Sequence, residues 1–168
     1  MACGVRHVAD KGGFMLGLTP HDIENFIRLL IATGLGALIG LEREYNGKEA
    51  GFKTYTLVCL GSALMMIISA DIFLIYRGLA VVDPSRIAAQ VVTGIGFLGA
   101  GAIIRGDQGV RGLTTAAGIW AVCGIGLACG IGLFKPAIFT TLLVLIVLVL
   151  FQKFEQDILP KKKPHHTS

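Results

Sequence analysis

Apolar residues run in five long blocks separated by short polar segments: Ile23–Leu41, Thr54–Ala70, Ile87–Ile104, Gly112–Phe134 and Pro136–Gln152. The last four hold no Asp, Glu, Lys or Arg, whereas the first carries Glu24 and Arg28 in its opening turns. A helix needs about 20 mainly apolar residues to cross a hydrocarbon core of about 30 Å. Blocks slightly shorter than this still span when their polar ends reach the headgroups. The pattern therefore predicts an all-α, polytopic membrane protein with five transmembrane helices at about 22–41, 54–74, 86–105, 112–134 and 136–153. A soluble bundle is excluded because the blocks offer no polar outer face. The predicted organisation is an N-terminal extension at 1–21, one transmembrane domain at 22–152 and a basic tail at 153–168.

Composition agrees with the pattern. The chain of 168 residues is 54% hydrophobic and 15% charged, with a mean hydropathy of +0.72. Its net charge of +4 reads as topology-setting basic loops rather than a nucleic-acid surface. Arg43, Lys48, Lys53, Arg105, Arg111, Lys153, Lys161, Lys162 and Lys163 would share one side, nine in all; Arg6, Lys11, Arg28, Arg77, Arg86 and Lys135 would share the other, six in all. The bias towards the first side predicts a cytoplasmic C-terminus and an N-terminus outside. Residues 1–20 lack the continuous apolar stretch of a secretory signal, and Met15 suggests that residues 1–14 are a dispensable extension. The Lys-rich end after Leu159 reads as a disordered basic anchor.

Punctuation and glycine placement refine the helices. Thr19-Pro20 and Asp83-Pro84 each put a capping side chain before a proline suited to a first helical turn. Pro136 directly after Lys135 predicts a tight turn between the last two spans. Glycines let helix backbones approach closely in lipid. Gly36 and Gly40 in the first span, Gly94, Gly96, Gly99 and Gly101 in the third, and Gly126 and Gly130 in the fourth are the candidate packing positions. They predict a tight core of spans one, three and four, with the Leu- and Val-rich fifth span facing lipid. Gly94-Ile-Gly96-Phe-Leu-Gly99 matches a dinucleotide fingerprint in spelling only, since it lies in an uncharged span rather than between a strand and a helix.

Candidate chemistry sits at span ends. Cys3, Cys59, Cys123 and Cys129 form no C-x-x-C pair, and His7, His21, His165 and His166 show no ligand spacing, so no metal site or cofactor is expected. Glu42, Arg43 and Glu44 close the first span, with Lys48, Glu49 and Lys53 following. This cluster is either an ion-pair network or a binding surface. Arg86, Gln90, Thr93 and Phe97 share one helical face, which in a membrane should turn towards a cavity or towards Thr114 and Thr115. The segment from Arg105 through Asp107 to Arg111 is polar and glycine-rich. Asp71 is the deepest acid candidate, at the end of the second span. Mg²⁺ requires oxygen ligands, and these acids lie at span ends. No nucleophile–base pair or phosphate loop is present, so an enzyme is not expected.

Four stretches carry a family resemblance: Ile39–Glu44, Ala50–Thr54, Asp83–Gly101 and Val110–Ala117. In this order they resemble the MgtC/SapB family of bacterial multi-pass inner-membrane proteins. The resemblance implies a role in magnesium homeostasis and in virulence or intracellular survival. It also implies a membrane-protein partner, the F-type ATP synthase; the exposed glycine faces separately make a homo-oligomer an expectation. The candidate functional cluster, drawn from the polar residues at the membrane boundaries, is Glu42, Arg43, Glu44, Lys53, Asp83, Arg86, Gln90, Arg105, Arg111, Thr114 and Thr115. Lys53 stands where the family commonly has Arg, and lysine lacks the planar fork for a bidentate contact. The chain resembles the short branch without the soluble cytoplasmic domain of larger members. Both a non-enzymatic regulator and a Mg²⁺ or other cation transporter or channel follow from this reading.

Overall fold

A computed structural model describes residues 18–79, 81–107 and 109–158, with side chains described as far as residue 151. The predicted extension up to residue 17 and the basic tail after residue 158 lie outside the described residues, as do Cys3, His7, His165 and His166. The described chain holds five helices: α1 (Pro20–Tyr45), α2 (Phe52–Tyr76), α3 (Arg86–Gly101), α4 (Leu113–Gly130) and α5 (Phe134–Ile158). A short hairpin, β1 (Ile104–Gly106) and β2 (Gly109–Arg111), joins α3 to α4. Four helices, α1, α2, α4 and α5, are long and apolar enough to cross a membrane.

Helix α1 starts where Thr19 and Asp22 close a reciprocal capping box with Pro20 in the first turn, satisfying amides that the helix itself cannot. Helix α3 differs from the predicted span 86–105. Its cap is Ser85, and Asp83 instead accepts from the Ser85 amide at 2.8 Å. It ends at Gly101, giving 16 residues and about 24 Å of length. Glycine is a poor helix former, and beyond Gly101 the chain gains antiparallel pairing instead, Ile104 with Arg111 and Arg105 with Val110.

Helix α4 also stops short of the predicted 134. The amide of Gly132 (φ 84°) donates to the Cys129 carbonyl at 2.9 Å, and that of Leu133 to Ala128 at 2.8 Å. This Schellman pair turns the chain on a left-handed residue that glycine adopts freely. Helix α5 then begins at Phe134, so Pro136 falls within its first turn, where a missing amide hydrogen costs nothing.

The core forms around α2. A methyl group on Gly36 would lie 2.6 Å from Cys59 Cβ, and one on Gly40 would lie 2.8 Å from Phe52 Cα. From α4, one on Gly126 would lie 2.3 Å from the Cys59 carbonyl oxygen, and one on Gly130 2.5 Å from that of Ala63. Gly118, on the same α4 face, leaves room for Tyr55. Two glycine grooves thus receive one broad face of α2, and Tyr55, Cys59, Ser62, Ala63 and Met66 on that face are buried against them. The tight core is therefore α1, α2 and α4. Gly94, Gly96 and Gly101 of α3 face open space, and Gly99 meets Ala116 only at an ordinary 3.7 Å. Cys59, Cys123 and Cys129 are buried and free. Helix α5 buries Ala137, Thr141 and Leu148 along one stripe and exposes most of its other apolar side chains.

The glycine contacts make a paired prediction. Gly126→Ala should lower stability in detergent by about 1–3 kcal/mol, the cost of overpacking a close contact. Gly124→Ala, where a methyl group meets nothing within 4 Å, should be neutral or stabilising by up to about 1 kcal/mol through helix propensity. Thermal unfolding of the two variants checks the pair; equal losses would refute the α2–α4 seam.

Candidate functional site at one end of the bundle

The C-terminal end of α1, the α1–α2 loop and the N-terminal ends of α2 and α4 converge. Arg43 is 2% exposed. Its Nε donates to Glu42 Oε2 at 2.5 Å and its Nη2 to Glu42 Oε1 at 2.7 Å. The guanidinium fork matches both carboxylate oxygens at once, and this pairing is what makes a buried cation tolerable. Asn46 closes the helix over the pair: its Nδ2 donates to the Glu42 carbonyl and to Glu42 Oε1, each at 2.9 Å.

The other two glutamates reach different helices. Glu44 Oε2 accepts from the Phe52 amide at 2.9 Å. It thereby caps α2, whose own cap residue, Gly51, has no side chain to do so. Glu49 Oε2 accepts from Thr115 Oγ1 at 3.2 Å. The Glu49 backbone amide first, and the Thr115 hydroxyl second, hold the Glu49 carboxyl below the usual carboxylate range. Tyr55 in turn donates from its hydroxyl to the Thr115 carbonyl at 3.1 Å. Thr115, itself buried, thus ties the loop and α2 to the first turn of α4.

That first turn begins on Gly112, at φ 85°, where a methyl group would lie 1.9 Å from the Ala102 carbonyl oxygen. Only glycine fits the left-handed conformation and the close approach together. It lets the hairpin fold back so that Arg111 and Thr114 stand beside Thr115. Arg105 is exposed on the hairpin, and Lys53 is exposed in the first turn of α2.

The expected cluster is divided by the fold. Glu42, Arg43, Glu44, Lys53, Arg105, Arg111, Thr114 and Thr115 lie at this end. Asp83, Arg86 and Gln90 lie at the other, lining a cavity of about 520 Å³ together with Ser69. Ser69 Oγ donates to the Pro84 carbonyl at 2.6 Å, and Ser69 is about 21 Å further along α2 than Tyr55 at 1.5 Å per residue. The Arg86, Gln90, Thr93 and Phe97 face does not turn towards Thr114 and Thr115. All four are exposed, because α3 packs through Ile95 and Gly99 instead. At that same far end His21 Nε2 meets Asp71 Oδ1 at 3.2 Å. Arg28 pairs with Glu24 and donates from Nη1 to the Gly130 carbonyl at 2.9 Å, a cation at a helix C-terminus where the macrodipole favours it.

Asn46 and Tyr55 belong to the site although the sequence does not single them out, and the sequence places Glu49 in the charged loop without its partner Thr115. Glu49 and Thr115 are 66 positions apart, and no local spacing relates them. Among the described residues no group of three or more His, Cys, Asp or Glu could hold a metal ion.

Fold and site together define a small multi-pass helical membrane protein with a built polar end. Residues 29–157 match the MgtC family, and the chain belongs to that family. It is 45% identical over 135 residues to a protein of Escherichia coli K12 named putative magnesium transporter YhiD, covering 77% of this chain and 61% of that one. It is 44% identical over 132 residues to protein MgtC of Salmonella typhimurium, covering 79% of this chain and 54% of that one. The chain thus spans little more than half the length of these curated relatives. No solved structure matches.

Breaking the Arg43–Glu42 pair from one side should cost more than neutralising both partners. Arg43→Ala strands a largely buried carboxylate and should destabilise by about 3–5 kcal/mol. The double change Glu42→Gln with Arg43→Gln should recover a large part of that loss. Chemical denaturation in detergent measures both; a double variant as unstable as Arg43→Ala would refute the account.

Proposed function

We propose that this protein is a non-enzymatic regulator of magnesium homeostasis in the bacterial inner membrane, acting on a membrane-protein partner through the polar end built by Glu42, Arg43, Glu49 and Thr115. Magnesium homeostasis is the role that family membership and the relatives' names support. The observation that carries the regulator reading is the engagement of the acids. Glu42 is bound by Arg43, Glu44 by the α2 amide, Glu49 by Thr115, Glu24 by Arg28, Asp71 by His21 and Asp83 by Ser85. Carboxylates committed to caps and ion pairs build a fixed surface rather than the open oxygen cage a dehydrated Mg²⁺ ion requires. The F-type ATP synthase is the partner that the family resemblance brings forward.

In this reading α3 completes a fifth crossing. It begins beside Ser69 at one end of α2 and delivers the chain to the first turn of α4 at the other, with the Asp83–Ser85 turn and the hairpin supplying the length that 16 residues lack. Five crossings and the Lys and Arg bias put the polar end and the C-terminus in the cytoplasm, with the N-terminus outside.

A cation transporter is the second reading, favoured by the name of the Escherichia coli relative. Flux of Mg²⁺ into dye-loaded proteoliposomes, with and without a membrane potential, separates the two. The regulator reading expects flux no greater than in protein-free vesicles. It also expects Glu42→Ala to abolish function in a low-magnesium growth assay while the protein still inserts. Potential-dependent flux that Arg86→Ala removes would establish the transporter instead.

A further inference from the structure

A cavity of about 640 Å³ opens beside the buried ion pair, and its lining has two distinct walls. The polar wall is Arg43, Lys48, Glu49, Arg111, Thr114 and Thr115, gathered from α1, the α1–α2 loop, the hairpin and the first turn of α4. The apolar wall is Val147, Leu148 and Phe151 of α5. Such a pairing of a polar wall with net positive charge and an aliphatic and aromatic face, at the end of a membrane bundle, suits an amphiphile.

Three features specify the polar part of that amphiphile. First, Arg43 lines the cavity while 2% exposed. Its Nε and Nη2 are taken by Glu42, and its Nη1 makes no hydrogen bond among the described residues. Second, α4 starts at Gly112 with no side-chain cap, so its first amides and the positive end of its dipole face the same wall. Third, the charge balance is modest. Arg43, Lys48 and Arg111 stand against Glu42, which neutralises Arg43, and Glu49, which lines the cavity beside Thr115. One net positive charge matches a singly charged phosphodiester better than a dianion.

We propose that this cavity binds a membrane phospholipid by its headgroup phosphodiester. The phosphate lies against Lys48, the Arg43 guanidinium and the α4 N-terminus, and an acyl chain follows Val147 and Phe151 along α5. Helix N-termini and guanidinium groups are both fitted to phosphate oxygens. A bound lipid would bridge α5 to the α1–α2 loop and so couple the polar end to the surrounding bilayer. This deepens the regulatory reading of the same cluster and rests on it only for what binding achieves.

Native mass spectrometry of the purified full chain in detergent tests the proposal, with short-chain phosphatidylglycerol as the probe. The chain-matched diacylglycerol and inorganic phosphate are the comparisons. Saturable binding of one phosphatidylglycerol, with no comparable binding of the diacylglycerol, is expected. Lys48→Gln should weaken it about tenfold, the loss of one charged hydrogen bond. The double Glu42→Gln, Arg43→Gln variant, which keeps the shape of the buried pair, should weaken it as well. Equal binding of the diacylglycerol, or undiminished binding in both variants, would overturn the proposal. Displacement of the lipid by inorganic phosphate at matched concentration would overturn the lipid assignment in favour of the free ion. Low-magnesium growth separates the two readings. Failed lipid binding with the Glu42→Ala growth defect intact sinks only the lipid site, whereas binding confirmed without any growth defect sinks only the regulatory role.

Discussion

Close backbone approach against α2 is the constraint on which the rest depends. Helices in lipid gain nothing from burying apolar surface against one another, because the surrounding chains are equally apolar. Association comes from contact distance, and here Gly36 and Gly40 of α1 and Gly126 and Gly130 of α4 bring both helices against α2 at distances that no Cβ would allow. The knobs filling these grooves are modest side chains such as Cys59, Ser62 and Ala63. That seam places Tyr55 next to Thr115, and through Thr115 it fixes the loop carrying Glu49.

The polar end follows from the seam. With α1, α2 and α4 in register, the end of α1 is forced into a buried position at Arg43, and the neighbouring Glu42 supplies the compensating carboxylate. The remaining glutamates are used as structural acceptors: Glu44 for the uncapped start of α2 and Glu49 for the α4 hydroxyl. Each contact satisfies a donor that would otherwise be left at a helix end, which in or near a bilayer costs several kcal/mol. The outcome is a hydrogen-bonded polar surface with an adjoining cavity whose apolar wall comes from α5.

Much of this was legible from residue order. Long uncharged blocks identify the helices, Thr19-Pro20 marks the start of α1, and the dense charges from Glu42 to Lys53 point to the polar end. Three relations are not carried by residue order. The glycines of the third span look like the strongest packing signal, yet Gly94, Gly96 and Gly101 meet nothing, because a sequence displays grooves without saying which helix fills them. The hairpin is hidden because Ile103 and Ile104 are apolar enough to extend the third span on hydropathy alone, and the polar, glycine-rich segment after them reads as a plain loop. Arg86 and Gln90 were grouped with Thr114 and Thr115 by their shared polarity, although α3 carries them to opposite ends of the bundle.

The amino-acid sequence by itself determined the solvent this protein lives in, the number and approximate extent of its helices, and the family to which it belongs. These are properties of local composition and order, readable one segment at a time. Tertiary structure alone decided that α2 is the centre, that Thr115 is the residue joining loop to bundle, and that Asp83, Arg86 and Gln90 stand apart from Glu42. The physical reason is that these relations join residues far apart in the chain, 66 positions for Glu49 and Thr115. Such distances are set by which grooves and side chains fit, and no one-dimensional pattern records that fit.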